Sequence, residues 1–360
     1  MSAETRRSLE PPYATDPRGM AALIDGIPEQ VERAVQHSAA YPWKLSNRIP
    51  SVLAVGAMGG SAIAADLTAG LYADNIPRPI SVVRDYRWPA FLTREAFALL
   101  GSYSGATEET LALYQEAARR GVPRAAITTG GALASMCDRD GVPWCKLPHS
   151  MPPRAALFSS WVPLTMLLAA LEWCDDPSAE WRRTVETLRE LRSHIGTAVP
   201  EDKNPAKQIA RSLVGRQVFL YSGTERMSAV ATRLRQQLNE NAKVLVHMAT
   251  TPELNHNEIV GWEGGDGLHG NVTVVLLRDA EDSQGASRRL ALTRDFVARR
   301  GAATVELDPG TGRRLSRMAA HVMFGDYVSL YLALARGVDP TPVASIDEFK
   351  RRMAEVEYGA

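Results

Sequence analysis

Short runs of β-branched or apolar residues alternate along this chain with longer stretches in which apolar positions recur at helical spacing. This alternation is typical of a parallel sheet covered by helices on both faces, so we predict an α/β fold with doubly wound, mostly parallel sheets. Strands are expected in the first half at 51–55, 80–83, 97–101, 125–128 and 144–147, and in the second half at 217–221, 244–248, 272–277 and 303–306.

The same rhythm occurs twice, which indicates a duplicated domain. The first strand-loop-helix unit of each half can be aligned, 55–62 with 222–229. A charged helical region at 178–194 and a break at 199–205 separate the halves, and 360 residues are enough for two cores. We therefore predict an N-terminal tail at 1–19, a first domain at 20–173, a helical linker at 174–200, a second domain at 201–340 and a C-terminal helix at 341–360.

A serine-rich turn at 102–107 follows the third predicted strand and precedes a helix. Backbone N–H groups at a helix start attract anions, Ser102, Ser104 and Thr107 add hydroxyl donors, and Gly105 permits close backbone approach. Ligands of such sheets bind at the carboxyl ends of the strands, where this turn lies. We predict a phosphate site, and a simple serine helix cap is the alternative.

The corresponding turn of the second half has different chemistry. Asp279, Glu281 and Asp282 occupy the region that corresponds to the hydroxyl residues of the first half. Carboxylates repel a phosphate strongly at low dielectric. Only the first half is therefore expected to bind phosphate in this way.

A glycine-rich turn at 56–61 is expected at the same edge of the sheet. We interpret Gly60 as a position of close backbone approach to a sugar, with the Ser61 hydroxyl as a donor. A dinucleotide site is the alternative, since Asp85 follows the second strand as a ribose-binding acid would. The glycine spacing matches neither the dinucleotide fingerprint nor a Walker loop.

A candidate acid and base lie in two polar loops of the second half. Glu240 ends a predicted helix, and His256 lies 16 residues later. An aldose-ketose isomerase needs one group to open the sugar ring and another to move a proton between C2 and C1. Arg154 could stabilise the enediolate oxygen that forms. Each residue alone is equally consistent with an ordinary surface or helix-end position.

Composition excludes several partners. The 41 basic and 41 acidic residues balance, so no net charge draws the chain to nucleic acid or to an anionic membrane. The apolar stretch 155–171 is interrupted by serine, proline and threonine, which favours a buried helix over a membrane span.

The cysteines and histidines give further expectations. Cys137, Cys145 and Cys174 lack the spacing of a zinc or redox motif, so we expect reduced thiols and a cytoplasmic location. No histidine pair shows metal-ligand spacing, and we expect neither a metal nor another cofactor.

These motifs together resemble the bifunctional phosphoglucose/phosphomannose isomerases, which consist of tandem sugar-isomerase (SIS) domains. The resemblance covers essentially the whole chain in order, at 56–61, 102–110, 153–156, 239–241, 253–258, 324–327 and 339–343. It implies reversible, metal-independent interconversion of glucose 6-phosphate or mannose 6-phosphate with fructose 6-phosphate through an enediol.

The resemblance also implies roles for individual residues. Glu240 would transfer the proton, and Arg154 would stabilise the enediolate. His256 would open the ring from the neighbouring subunit of a homodimer, and Lys350 would accompany ring opening. Thr341 would help to accommodate both C2 epimers. The 6-phosphate and neighbouring hydroxyls would contact Ser61, Ser102, Ser104 and Thr107.

Two other functions share this fold. A non-catalytic sugar-phosphate sensor would need the phosphate loop but not Glu240 with His256, and sensors of this kind usually carry a DNA-binding module, which we do not recognise here. An amidotransferase-type isomerase would need a glutaminase domain with an N-terminal cysteine, but Cys137 is the first cysteine of the chain.

Overall fold

The computed structural model of the protein describes residues 7–43, 45, 49–149, 151–264, 267–308, 310 and 312–355. Every strand predicted from the sequence is confirmed, with ends that differ by at most two residues. The strands are β1 (Leu53–Ala57), β2 (Ile80–Val83), β3 (Phe97–Ser102), β4 (Arg124–Thr128), β5 (Trp144–Lys146), β6 (Gln217–Ser222), β7 (Val246–Thr250), β8 (Val272–Leu277) and β9 (Ala303–Leu307).

Helices connect and cover the strands. They are α1 (Met20–Asp25), α2 (Ile27–Ala40), α3 (Gly59–Tyr72), α4 (Glu108–Arg119), α5 (Gly131–Asp140), α6 (Leu157–Ala170), α7 (Ser178–Ile195), α8 (Pro205–Ser212), α9 (Glu225–Glu240), α10 (Glu258–Gly261), α11 (Gln284–Ala298), α12 (Arg314–Arg336) and α13 (Ala344–Glu355). The predicted helical region at 178–194 is confirmed as α7, and the predicted buried helix near 155–171 as α6.

The strands form two parallel sheets, so the predicted α/β fold class is confirmed. Strand order is β2-β1-β3-β4-β5 in the first sheet and β7-β6-β8-β9 in the second. If the second sheet is renumbered from its own first strand, its order repeats that of the first four strands. This shared topology supports the duplication that the sequence suggests, while the exact domain bounds stay a prediction.

Strand β7 begins two residues later than predicted because the chain makes a tight turn after α9. Lys243 adopts a left-handed backbone conformation with φ of 56°. The N–H of Val244 bonds back to the carbonyl of Leu238 at 3.2 Å, so Val244 closes the end of the helix. Leu245 points outward with 92% of its surface exposed. Neither residue is therefore available to the sheet.

One hydrophobic core extends across both halves of the chain. Apolar residues of α3, such as Leu67, pack in the same cluster as Val230 of α9 and Met323 of α12. Helix α12 is long and apolar enough to cross a bilayer, but its apolar segment is entirely buried within the protein. It is thus the central helix of this core.

Helices α3 and α9 run in opposite directions and approach each other closely. A Cβ atom at Gly70, near the end of α3, would lie 2.8 Å from the carbonyl oxygen of Arg226, near the start of α9. The other ends of the two helices meet through a 3₁₀ turn at Pro153–Ala156: Gly60 abuts Pro153, and Arg154 faces Glu240. The antiparallel packing therefore places the start of α3 near the end of α9.

We predict that Gly70→Ala destabilises the protein. Alanine normally favours a helix over glycine by about 1 kcal/mol, but here the added methyl group meets backbone that cannot move aside. The unfolding free energy should fall by about 1–3 kcal/mol, measured as a lower thermal midpoint. Gly285→Ala in α11 is the control, because its Cβ would meet only the Ser283 hydroxyl, at 3.9 Å. A raised midpoint for Gly70→Ala would contradict the close packing.

Candidate active site

The serine-rich turn between β3 and α4 forms a compact loop of hydroxyl groups. Ser102 ends β3 with its side chain buried, and its Oγ lies 2.7 Å from Oγ1 of Thr107. The N–H of Gly105 donates to the same Oγ at 3.1 Å, and the N–H of Ala106 donates to Oγ of Ser104 at 3.3 Å. The hydroxyl groups of Ser102, Ser104 and Thr107 thus lie in one turn at the start of α4.

Thr107 occupies the N-cap position of α4, but among the described residues its hydroxyl makes no capping hydrogen bond. It contacts Ser102 instead. The simple helix-cap interpretation therefore does not explain this loop. Gly105 is required sterically, since it has φ of 67° and a Cβ atom there would lie 1.8 Å from the carbonyl oxygen of Gly130.

The first turn of α3 lies beside this loop. Gly60 packs against the 3₁₀ turn Pro153–Ala156, where its Cβ would lie 3.2 Å from the carbonyl oxygen of Pro153. Ser61 faces Gly101, the residue before Ser102, and a Cβ on Gly101 would lie 3.3 Å from that of Ser61. The glycine-rich turn and the serine-rich turn are therefore adjacent, as expected from their place at the carboxyl edge of the sheet.

Arg154 is a buried cation that links the two halves of the chain. Its side chain is only 4% exposed. Nε donates to Oδ1 of Asn241 at 2.7 Å, and Nη2 donates to the carbonyl oxygens of Pro340 and Thr341 at 2.6 and 2.8 Å. Nη1 lies 3.6 Å from Oε2 of Glu240, beyond normal hydrogen-bond distance. One nitrogen of the guanidinium thus faces Glu240 without contacting it directly.

Burial lowers the pKa of Arg154, because removing the guanidinium from water disfavours its charged form. The carboxylate of Glu240 acts in the opposite direction. The nearby Arg233 lowers the pKa further by charge repulsion. The surrounding carboxylates therefore stabilise the charged form of Arg154 against the cost of its burial.

A second buried ion pair holds the backbone of Arg154. The guanidinium of Arg233 in α9 binds both carboxylate oxygens of Asp326 in α12, at 3.1 and 2.8 Å. Its Nη2 also donates to the carbonyl oxygen of Arg154 at 2.8 Å. Burial raises the pKa of Asp326, and the charge of Arg233 opposes that rise. The pair fixes the position of the 3₁₀ turn against α9 and α12.

Glu240 is the last residue of α9 and borders a cavity of 480 Å³. Lys243 donates to the carbonyl oxygen of Glu240. Burial lowers the pKa of Lys243, and the neighbouring charge of Arg154 lowers it further. The other wall of the cavity is formed by the start of α13 and the loop that leads into it, with the lining residues Asn239, Glu240, Lys243, Val244, Leu245, Pro342, Val343, Ala344, Ser345 and Ile346.

Thr341 lies beside this cavity on the loop before α13. Its N–H donates to Oδ1 of Asp339 at 2.8 Å, and its carbonyl oxygen accepts from Arg154. Its hydroxyl is buried and has no hydrogen-bond partner among the described residues. A buried hydroxyl without a partner is costly, which distinguishes Thr341 from the other residues of this loop.

The structure does not bring His256 and Glu240 together within one chain. Glu240 precedes the amino end of β7, whereas His256 follows its carboxyl end and is exposed. A five-residue strand spans about 17 Å, so the two loops lie at different edges of the second sheet. Lys350 is likewise exposed on α13 and does not line the cavity beside Glu240.

Sequence reasoning gave no role to several residues that build this site. Arg233, Asn241, Asp326 and Asp339 fix the position of Arg154 or of the Thr341 loop. Three of the four lie in segments that carry the family resemblance, at 239–241, 324–327 and 339–343. In the sequence, the only signal for these residues was that they lie within those segments. A charged residue on an amphipathic helix ordinarily faces solvent, so its type alone does not indicate a role in a site.

The acidic turn of the second half is occupied by ion pairs. Arg317 in α12 binds Asp279 at 3.0 Å and Glu281 at 2.9 Å. Arg314 binds Glu281 as well, and it reaches Asp74 of the first half at 3.0 Å. Arg314 therefore joins this acidic turn to the first half of the chain.

Known proteins resemble this chain in sequence and in fold. The family model for the bacterial phospho-glucose isomerase C-terminal SIS domain matches residues 202–353. A bifunctional phosphoglucose/phosphomannose isomerase from Caldicellulosiruptor bescii is 34% identical over 94% of this chain and 100% of its own length. One from Aquifex aeolicus is 29% identical over 82% of this chain and 88% of its own.

A solved structure shares the fold at lower identity. A glucose-6-phosphate isomerase like protein from Thermus thermophilus superposes with a TM-score of 0.63 at 21% identity, covering 93% of this chain and 98% of that one. The tandem arrangement of parallel sheets is thus common to both proteins.

We predict that Asp326→Asn destabilises the protein strongly. The substitution keeps the shape of the side chain but leaves Arg233 as a buried, unpaired charge, which costs about 3–5 kcal/mol. The measurement is the unfolding midpoint in urea. Glu355→Gln is the control, because it removes an ion pair with Arg351 that is largely exposed, and the midpoint should not change. Equal midpoints for both variants would contradict the role of the buried pair.

Proposed function

Because this chain belongs to the family of bifunctional phosphoglucose/phosphomannose isomerases, we propose that it interconverts glucose 6-phosphate and mannose 6-phosphate with fructose 6-phosphate at the cleft between its two sheets. The chain is a sugar-phosphate isomerase on the strength of that membership. The observation that carries the proposed site is the ion pair of Arg154 with Glu240, which lies next to the glycine-rich and serine-rich turns.

The 6-phosphate binds at the start of α4 in this proposal. Hydroxyl groups of Ser102, Ser104 and Thr107 supply donors, and the positive end of the helix dipole attracts the dianion. Ser61 and the backbone of Gly60 contact the adjacent sugar hydroxyls. With the phosphate held in the first half of the chain, C1 and C2 of the sugar would face Glu240.

Glu240 is the base that moves the proton between C2 and C1. Its carboxylate takes the C2 proton of the open-chain aldose, and the electrons of the C–H bond form an enediolate. Nη1 of Arg154 faces Glu240 and is the donor nearest to the negative oxygen that develops. A donor placed in this way contributes about 10²–10³ in rate in other enzymes. Transfer of a proton from O2 to O1, together with return of the abstracted proton to C1, then gives the ketose.

Both C2 epimers lead to the same intermediate. C2 is planar in an enediol, so glucose 6-phosphate and mannose 6-phosphate lose the stereochemical difference between them once the proton has left. Recognition of both therefore requires a group that tolerates either orientation of the C2 hydroxyl. The unpartnered hydroxyl of Thr341 can rotate to donate to either one.

Ring opening by His256, accompanied by Lys350, requires a second copy of the chain. His256 lies at the far end of β7 from Glu240, so the copy that supplies Glu240 does not also supply the histidine to that site. A homodimer in which each subunit contributes His256 to its partner completes two equal sites.

Exposed apolar side chains support this assembly. Leu245 is 92% exposed beside Glu240, and Phe349 on α13 is 73% exposed. Val260 lies on α10, four residues after His256, and is 57% exposed. Large exposed apolar groups of this kind often mark protein interfaces. A two-fold axis would bring the His256 loop of each copy to the Leu245 surface of the other.

A cytoplasmic location is part of this proposal. Cys137, Cys145 and Cys174 are all free thiols, and burial raises the pKa of Cys137 and of Cys145 to about 12. Thiols in this state are unreactive and fit a reducing compartment.

No observation favours the alternative function of a non-catalytic sugar-phosphate sensor.

We predict that Glu240→Gln abolishes isomerisation. The amide cannot accept the C2 proton, so kcat should fall by at least about 10²–10⁴, while substrate binding measured by calorimetry should change little. The assay couples fructose 6-phosphate formation from each hexose 6-phosphate to a reporter enzyme, with and without chelator. Glu186→Gln, on the exposed surface of α7, is the matched control. Retention of normal kcat by Glu240→Gln would exclude it as the base.

We predict complementation between two inactive variants. Glu240→Gln and His256→Ala should each be inactive alone, whereas their mixed dimer contains one intact site. Random exchange of subunits makes half of the dimers mixed, so activity should recover to about a quarter of the wild-type value. The measurement is activity after denaturation and refolding of an equimolar mixture. No recovery, with dimers confirmed by light scattering, would place His256 in the site of its own subunit. Normal activity of His256→Ala alone would place it outside catalysis.

A further inference from the structure

A pocket of 340 Å³ lies between α2 and the segment that follows β5. It is large enough for a small metabolite. Its lining residues are Gln30, Arg33, Ala34, His37, Ser38, Lys146, Leu147, Pro148, His149, Met151 and Ser159. None of them belongs to the proposed isomerase site.

The floor of this pocket contains buried polar atoms without partners. Gln30 is 5% exposed and Ser38 is 4% exposed, and both line the cavity from α2. Among the described residues, Oε1 of Gln30 and Oγ of Ser38 make no hydrogen bond. Buried polar groups are nearly always paired, so these two atoms point to a molecule that pairs them.

The amide nitrogen of Gln30 is already engaged. Nε2 donates to the carbonyl oxygen of Ala155 at 2.9 Å and contacts the sulfur of Met151 at 3.2 Å. This orientation leaves Oε1 as an acceptor that needs a donor, while Ser38 can either donate or accept. Gln30 and Ser38 lie eight positions apart on α2, about 12 Å along its axis, so each atom needs a partner of its own. A hydroxyl group on a ligand would satisfy Ser38, and a water molecule is sufficient for Oε1 of Gln30.

The lining of the pocket is otherwise cationic and apolar. Arg33 and Lys146 are exposed, with His37 and His149 beside them, and no acidic residue is among the described lining residues. Apolar wall is supplied by Ala34, Leu147, Pro148 and Met151. Positive groups in a pocket whose described lining residues include no carboxylate favour an anionic ligand, and the apolar wall favours a hydrocarbon body.

We propose that this pocket binds a small hydroxylated organic acid. The hydroxyl group pairs with Oγ of Ser38, the hydrocarbon body packs against Leu147 and Met151, and the acid group faces Arg33 and Lys146. The site is independent of the isomerase chemistry, but the two share a wall. Tyr103 of the serine-rich turn donates to the carbonyl oxygen of Pro148 at 3.0 Å, and Gln30 holds the residue next to Arg154.

Three probes that differ by one group each test this assignment. Calorimetric titration of the full chain with 4-hydroxyphenylacetate should show binding, with saturating fructose 6-phosphate present to occupy the isomerase site. Phenylacetate, which lacks the ring hydroxyl, and 4-(2-hydroxyethyl)phenol, which lacks the acid, should each bind at least about fivefold more weakly. Equal affinity for all three, or no binding of the first at about 10 mM, overturns the proposal.

Two variants connect binding to the pocket. Ser38→Ala removes an unpaired hydroxyl, so it should weaken 4-hydroxyphenylacetate about fivefold without lowering the thermal midpoint. The exposed pair Arg33→Glu with Lys146→Glu should weaken it at least about tenfold. Arg183→Glu with Lys203→Glu, equally exposed but outside the pocket, is the charge-matched control and should bind as the wild type does. Unchanged binding in both pocket variants would place the probe elsewhere and overturn the proposal. Isomerase activity is measured separately and does not enter this test.

Discussion

The buried pair of Arg233 and Asp326 is the contact on which the candidate site depends. It joins α9 to α12 inside the shared core, where two charges are tolerated only because each satisfies the other. The same guanidinium holds the carbonyl oxygen of Arg154, a residue of the first half. Replacing the pair with apolar side chains could leave the fold equally stable, but the carbonyl would then lose its donor. The Arg233–Asp326 pair therefore contributes more to the position of Arg154 than to the stability of the fold.

Arg154 and Arg233 form part of a compact array of charges. Two guanidinium groups close together repel each other, and both are almost fully buried. Asp326 compensates the charge of Arg233, and Glu240 compensates the charge of Arg154. In the proposed site, a substrate between Arg154 and Glu240 would therefore meet dipoles that are already oriented. Such preorganisation means that little rearrangement is required as negative charge develops on the substrate.

Local patterns predicted the strands and the serine-rich turn well, because both are encoded in consecutive residues. The α9–α12 ion pair could not be predicted, since Arg233 and Asp326 are far apart in sequence and each would be an ordinary surface residue on an isolated helix. Glu240 and His256 were selected together as a candidate acid and base, and within one chain strand β7 separates them. The exposed Leu245 was likewise assigned to a strand, because its turn depends on the left-handed conformation of Lys243.

The continuous core also bears on how such a chain can be divided. The segment 202–353 is recognisable on its own as a family of sequences, and its sheet repeats the topology of the first. Yet α9 packs its apolar face on α3, and α12 is covered in part by α7, so separation would expose both surfaces to water. The duplicated domain and the folding unit therefore do not coincide in this protein. Through the packing at Gly70, the second domain has become one half of a single shared core.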